Sequence, residues 1–182
     1  MATTWLIDPM HSEVQFKVKH LVISTVTGSF NSFAGSALTE GDGFENGQVE
    51  VSIQVDSVNT SQDTRDQHLR GEDFFDAGQY PTITFKSTSF TKKGGDEQYT
   101  LSGDLTIKGI TKPVTLDVEH GGTAVDFYGN TKAGFEATGK INRKEFGLTW
   151  GGVTEAGAIV VGEDVKLIFN IQLAKQAEVA AA

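Results

Sequence analysis

The chain has 182 residues, no cysteine, and fifteen Lys and Arg against twenty-four Asp and Glu, a formal net charge of −9. A chain of this length can bury a full core without staples, and the missing thiols exclude disulfides and thiolate chemistry. The acidic balance repels nucleic-acid phosphates and anionic bilayer surfaces, so nucleic acid is not an expected partner.

Met1-Ala2-Thr3-Thr4 leads straight into a strand pattern, with no basic n-region or apolar h-region, and no stretch reaches bilayer-spanning length. The expectation is a cytoplasmic protein that does not insert into membranes. One unbroken rhythm of strands and glycine turns predicts a single domain over residues 1–174, with a detachable tail at 175–182.

In chain order, Trp5 to Ile7 opens a first strand. Val14, Phe16, Val18 and His20 then alternate with Glu13, Gln15, Lys17 and Lys19, the pattern of a half-buried antiparallel strand. Val26 to Leu38 is apolar but irregular, and Val49, Val51, Ile53 and Val55 restore period two. The rhythm then breaks. Thr60-Ser61-Gln62-Asp63 sets a hydroxyl three residues before a carboxylate, a capping-box-like start for a short helix to about Arg70, with Gly71 as its stop.

Strand alternation resumes in Ile83, Phe85, Ser87; in Leu101, Gly103, Leu105, Ile107; and in Val114, Leu116, Val118, His120. It continues in Phe135, Ala137, Gly139, Ile141 and ends in Val165, Leu167, Phe169, Ile171, Leu173. Between these last two, Asn142 to Gly147 predicts a one-turn helix capped by Asn142. Glu45-Asn46-Gly47, Lys93-Gly94-Gly95-Asp96, Gly121-Gly122, Gly129-Asn130, Gly151-Gly152 and Gly162-Glu163-Asp164 read as turns. Eight or nine strands joined by short hairpins predict an all-β closed antiparallel barrel, with the two short helices covering its ends.

Several markers carry a family resemblance. Trp5-Leu6-Ile7-Asp8-Pro9 with His11-Ser12, Phe16-Lys17-Val18-Lys19-His20-Leu21, Gly28-Ser29-Phe30 and Phe33-Ala34-Gly35 resemble the start of the YceI-like family of lipocalin-like proteins. So do Arg65-Asp66-Gln67-His68-Leu69, Phe74-Phe75-Asp76, Tyr80 to Ser87, Gly103 to Thr111 and Asn142 to Leu148, so that the resemblance spans nearly the whole chain. It implies a single extended eight-stranded antiparallel lipocalin-like barrel, often dimeric, that holds a polyisoprenoid or another long-chain amphiphile. Many members of that family carry an export signal, and the sequence shows none.

An eight-stranded barrel is either filled by its own side chains or holds one slender ligand. Phe16, Phe30, Phe33, Phe85, Phe135 and Phe169 are bulky, while Gly35, Ala37, Gly103, Ala137 and Gly139 leave room in the same alternating series. The family resemblance favours the cavity over a solid aromatic core. At about 0.8 kcal/mol per buried carbon group, a five-carbon isoprene unit gains about 4 kcal/mol. Association costs about 4 to 15 kcal/mol, so several units are needed to bind usefully.

Arg65 and His68 share a helix face and could present a cation to a phosphate or hydroxyl head group. The competing reading has Arg65 or Arg70 paired with Asp63, Asp66, Glu72 or Asp73, pinning the helix to the rim. His20 and His120 end apolar strand faces, as rim histidines bonded to backbone carbonyls or as head-group contacts. His11 reads as structural, and Arg143 as a local ion pair with Glu145. No nucleophile motif, metal-ligand spacing or glycine-rich phosphate loop is present, so the expectation is a non-catalytic binding protein without metal or cofactor. A lipid-modifying enzyme and a filled barrel used as an interaction module are the alternatives. The expected ligand-binding residues are Phe16, Val18, His20, Phe30, Phe33, Val51, Ile53, Arg65, His68, Phe74, Phe85, Leu101, Leu116, Phe135 and Phe169, holding a polyisoprenoid or fatty-acid-like lipid.

Overall fold

The structure is a computed structural model and describes residues 2–41, 43–151 and 161–177. Eleven strand segments build it: β1 (Ala2–Ile7), β2 (Glu13–His20), β3 (Ser24–Phe30), β4 (Phe33–Glu40), β5 (Gln48–Gln54), β6 (Val58–Asn59), β7 (Thr82–Lys92), β8 (Gln98–Ile107), β9 (Ile110–Val125), β10 (Thr131–Asn142) and β11 (Val161–Lys175). The α-helix α1 (Asp63–Arg70) lies between β6 and β7. All pairings are antiparallel, and β1 pairs with both β4 and β11, which closes the sheet into an eight-stranded barrel.

Eleven segments make eight strands because the first three strands are bent. β1 and β2 are two halves of one strand, as are β3 and β4, and β5 and β6: β1 pairs β4 while β2 pairs β3, and β4 pairs β5 while β3 pairs β6. The breaks fall at Pro9–His11, Asn31-Ser32 and Val55–Ser57, at one level of the wall. Proline cannot donate to a ladder, so Pro9 starts a 3-10 turn whose next amide, Met10 N, donates to the Asp8 carboxylate at 3.1 Å. Backbone groups freed at the breaks find one another: Asn31 N donates to Ser57 O, Gln54 N to Ser32 O, and Asp8 N to Gln172 O. The irregular stretch Val26–Leu38 is thus an ordinary strand interrupted by one corner.

Bulges set which residues face inward. A register shift between Ser87 and Ser89 turns Phe90 into the core, so the inward series runs Ile83, Phe85, then Phe90. Gly121-Gly122 forms no turn. The β9–β10 ladder skips Gly121 at a bulge, and Gly122 takes φ +120°, a conformation open to glycine but not to a β-branched neighbour. Gly162 to Asp164 likewise lies inside β11, at the shift between Val161 and Val165. Lys108-Gly109 makes the tight β8–β9 hairpin, with φ of 53° and 74°. β11 runs to Lys175, one residue past the expected barrel end, and Gln176 N donates to Thr4 O. The expected Gly151-Gly152 turn and 175–182 tail fall partly outside the described residues.

Candidate ligand-binding site

The barrel is not filled. Two chambers lie inside it, an outer one of about 450 Å³ and an inner one of about 130 Å³. Val14, Ile53, Ile83, Leu105, Leu167 and Phe169 line both and form the waist where they meet. The outer chamber falls within the about 300–1,000 Å³ usual for small-molecule pockets, and the inner one lies below it. The interior is therefore divided into a wider and a narrower chamber that share one ring of apolar side chains.

At the outer end, β2 contributes Phe16, Val18 and His20, β3 contributes Phe30, and α1 contributes Arg65, His68 and Leu69. Phe74, Phe75, Leu148 and Trp150 complete that end. The His68 ring lies edge-on to both Phe74 and Trp150, with centroids 5.0 Å away, while its Nε2 meets the Asp73 carboxylate at 2.9 Å. The inner chamber is lined by Val51, Phe85, Leu101, Leu116 and Phe135 beyond the waist residues. Of the expected residues only Phe33 lines neither chamber; it packs, partly buried, against the core.

Of the small inward residues, Ala37 and Ala137 line the inner chamber as expected, while the glycines do a different job. A Cβ on Gly28 would lie 2.3 Å from Phe16 Cζ, one on Gly103 2.5 Å from Phe85 Cζ, and one on Gly139 2.3 Å from Leu116 Cδ2. Gly35 is similarly covered by Ile7 and the Glu50 carbonyl. Each glycine thus gives its space to a neighbouring side chain. The room inside therefore does not come from open positions at these glycines.

The polar groups also find other partners than expected. Asp66 is buried and accepts from Thr60 N at 2.9 Å and from Thr60 Oγ1 at 2.5 Å. Arg65 Nε donates to the same Thr60 Oγ1 and Nη2 to Thr60 O, both at 2.7 Å. Arg70 donates to the Asp56 and Val58 carbonyls. Neither arginine pairs with a carboxylate among the described residues, because the two-residue strand β6 and the turn after it leave carbonyls that guanidinium donors satisfy. The helix is capped by the Gln62 side chain, which accepts from Arg65 N at 3.0 Å, so the Thr60 hydroxyl is a side-chain bridge and not the cap.

Arg143 corrects another expectation: Glu145 is not its partner. It is buried and donates to the Gly162, Leu148, Trp150 and Val161 carbonyls at 2.7, 2.6, 2.6 and 3.3 Å. It thereby ties the segment after the 3-10 turn Arg143–Phe146 to the start of β11, and it lines the outer chamber. Desolvation pushes its guanidinium pKa below the usual arginine value, with the charge of Glu163 opposing. The Asn142 cap is as expected, accepting from Lys144 N.

The His120 ring meets a carboxylate and not a backbone carbonyl among the described residues. Its Nδ1 meets Glu97 at 2.8 Å and its ring stacks on Phe135 at 4.7 Å, at the inner end. His11 is structural, with Nδ1 2.8 Å from Asp8 Oδ2. Phe44, which periodicity does not reach, folds from the β4–β5 loop into the inner end, its ring 5.1 Å from Trp5 and 4.9 Å from Phe135. A lone phenylalanine between Gly41 and Gly47 was its signal, since a large apolar side chain gains by leaving a water-exposed loop.

The architecture has close relatives. The model of the YceI-like domain matches residues 5–173. A UPF0312 protein of Yersinia enterocolitica is 39% identical over 174 residues, 94% of this chain and 86% of that one, and a Yersinia pestis UPF0312 protein is 40% identical over the same length. Among solved structures, the Campylobacter jejuni YceI protein is 36% identical with a TM-score of 0.70, covering 89% of this chain and 91% of that chain. BcnA of Burkholderia cenocepacia has a TM-score of 0.78 at 24% identity, covering 91% and 98%, and a polyisoprenoid binding domain from Saccharophagus degradans has 0.69 at 17%, covering 94% and 98%. At those two identities the likeness is one of fold. With the family model spanning the whole barrel, the chain belongs to the YceI-like domain family.

Proposed function

We propose that this protein binds a long-chain amphiphilic lipid of the polyisoprenoid class inside its barrel, and sequesters or carries it without altering it. The observation that carries this is the pair of adjacent chambers, whose shared waist and inner lining are almost wholly aliphatic and aromatic. A filled barrel would not leave about 450 Å³ beneath its end. Family membership and the polyisoprenoid-binding description of the Saccharophagus degradans domain support the same ligand class. The tail would pass the waist into the inner chamber while the head stays among Arg65, His68 and His20, with the fourteen expected residues other than Phe33 in contact along the way. A homodimer remains part of the proposal. The exposed Val125, Phe127 and Tyr128 at the β9–β10 hairpin are apolar surface that a second copy could cover.

A chain-length series tests the path. Binding of geraniol, geranylgeraniol and solanesol is expected to strengthen with length and then level off once the inner chamber is filled. Leu105→Trp, which blocks the waist, is expected to remove the advantage of the longer chains. Absence of binding by all three alcohols would overturn the proposal.

A further inference from the structure

The β2–β3 turn at the outer end carries apolar residues in a backbone conformation that suits polar ones. β2 and β3 pair as far as His20 and Ser24, which leaves Leu21, Val22 and Ile23 as the turn, closed by Ser24 Oγ donating to His20 O at 3.2 Å. Leu21 and Val22 take φ of 52° and 66°. The other four non-glycine residues with positive φ among the described residues, Asn46, Ser61, Asp76 and Lys108, are all polar. Val22 is the β-branched exception, in a region of backbone space that such residues rarely enter. It is 68% exposed and Ile23 85%, so burial within the fold does not offset the strain.

Charge along this part of the chain is also unlike the rest. In a chain of net charge −9, the run from Val14 to Thr39 contains no Asp or Glu, and its ionisable residues are Lys17, Lys19 and His20. Both lysines are exposed, and neither makes an ion pair among the described residues. Glu163 and Asp164, on the adjoining part of β11, are engaged by Lys144 and Lys140 at 3.0 and 3.6 Å. The acidic excess that repels an anionic surface therefore lies in other segments of the chain.

The turn stands beside the outer chamber, which Val18, Lys19 and His20 line before it and Val26 after it. Resting on the lipid-binding proposal above, we infer that Leu21-Val22-Ile23 is a peripheral membrane contact, through which the outer end of the barrel rests on a lipid bilayer. Val22 and Ile23 enter the interfacial region, and Lys17 and Lys19 supply the cationic flank that meets anionic head groups. The outer chamber is thereby set against the surface from which a lipid ligand leaves. Asn at Val22 would relieve the backbone but give up the apolar contact, so the strained residue has a use outside the fold. A bilayer suits this turn better than a second copy of the chain, because a stable protein interface takes about 20–30 residues a side and the turn offers one apolar tip.

Flotation with vesicles of phosphatidylcholine, alone and in equal mixture with phosphatidylglycerol, tests the contact. The unmutated protein is expected to float with the mixture at low salt and less with phosphatidylcholine alone, the difference fading as salt rises. Val22→Asn combined with Ile23→Ser should lower partitioning onto both vesicles by about tenfold or more. That variant should melt no lower than the unmutated protein, since Asn accepts a left-handed φ, and native mass spectrometry should show it binding solanesol undiminished. Lys17→Gln with Lys19→Gln should remove only the preference for the mixture. No flotation of the unmutated protein with the mixture, or equal flotation of the turn variant, would overturn the membrane contact and leave lipid binding standing. A dimer in sedimentation that the turn variant loses, without flotation, would replace the bilayer with a second copy. Flotation without solanesol binding by the unmutated protein would overturn the lipid-binding reading and leave the docking itself standing.

Discussion

Two residues show how packing and charge fix this barrel locally. The Phe16 ring occupies the place of a Gly28 side chain, opposite it in the β2–β3 register. Gly28→Ala should therefore lower stability by about 1–3 kcal/mol through overpacking, measured by urea denaturation. Phe16→Leu in the same chain should recover part of that loss, because the clash is with the ring and not with backbone. Simple additivity of the two changes would show that the contact is slack. Asp8 is the electrostatic counterpart. Hydrogen bonds from Lys132 first and His11 second hold its carboxyl at about 2, against an ordinary 3.8. A depressed carboxylate stabilises the fold above its unfolded pKa and loses that contribution as pH falls toward the folded one. Asp8→Asn should thus cost about 1–2 kcal/mol near neutral pH, since the Asp8 and Lys132 side chains are only 15% and 16% exposed. The deficit should vanish between about pH 4 and pH 2. A deficit that is constant with pH would assign the effect to packing.

At the scale of elements, α1 is held by anchors and not by an apolar stripe. Only Asp66 of its eight residues is buried, and so short a helix is unstable alone. Thr60→Val removes the hydroxyl that joins Arg65 to Asp66 and should cost about 1–3 kcal/mol in a thermal melt, while Thr60→Ser should be close to neutral. Loss in Thr60→Ser without loss in Thr60→Val would place the contribution in the methyl group instead. The helix was legible in its polar run and in Gly71, but its cap was not, because Gln62 caps from a position where Thr60 and Ser61 are the better-known formers. Strand faces were legible wherever period two runs uninterrupted, as in β2 and β8. They were lost at bulges. One extra residue beyond Ser87 reverses inside and outside, and glycine in Gly121-Gly122 permits a bulge as readily as a turn. The arginine contacts were hidden for another reason: apart from the Thr60 hydroxyl their partners are backbone carbonyls, which every residue has and no side-chain pattern marks.

For the molecule as a whole, closure and hollowness have different origins. Closure follows from hairpin after hairpin with one apolar face each, which the sequence displays from Glu13 onward. Hollowness depends on whether inward rings point across the barrel or lie along its wall, and that is settled by cross-strand pairs such as Phe16 with Gly28. No count of large and small residues contains that information. The most direct measurement is native mass spectrometry of the protein as purified and after incubation with solanesol, followed by organic extraction. One lipid per chain, surviving transfer to the gas phase and released by extraction, is the result expected. Bare protein mass under both conditions, with nothing in the extract, would contradict lipid binding within the barrel.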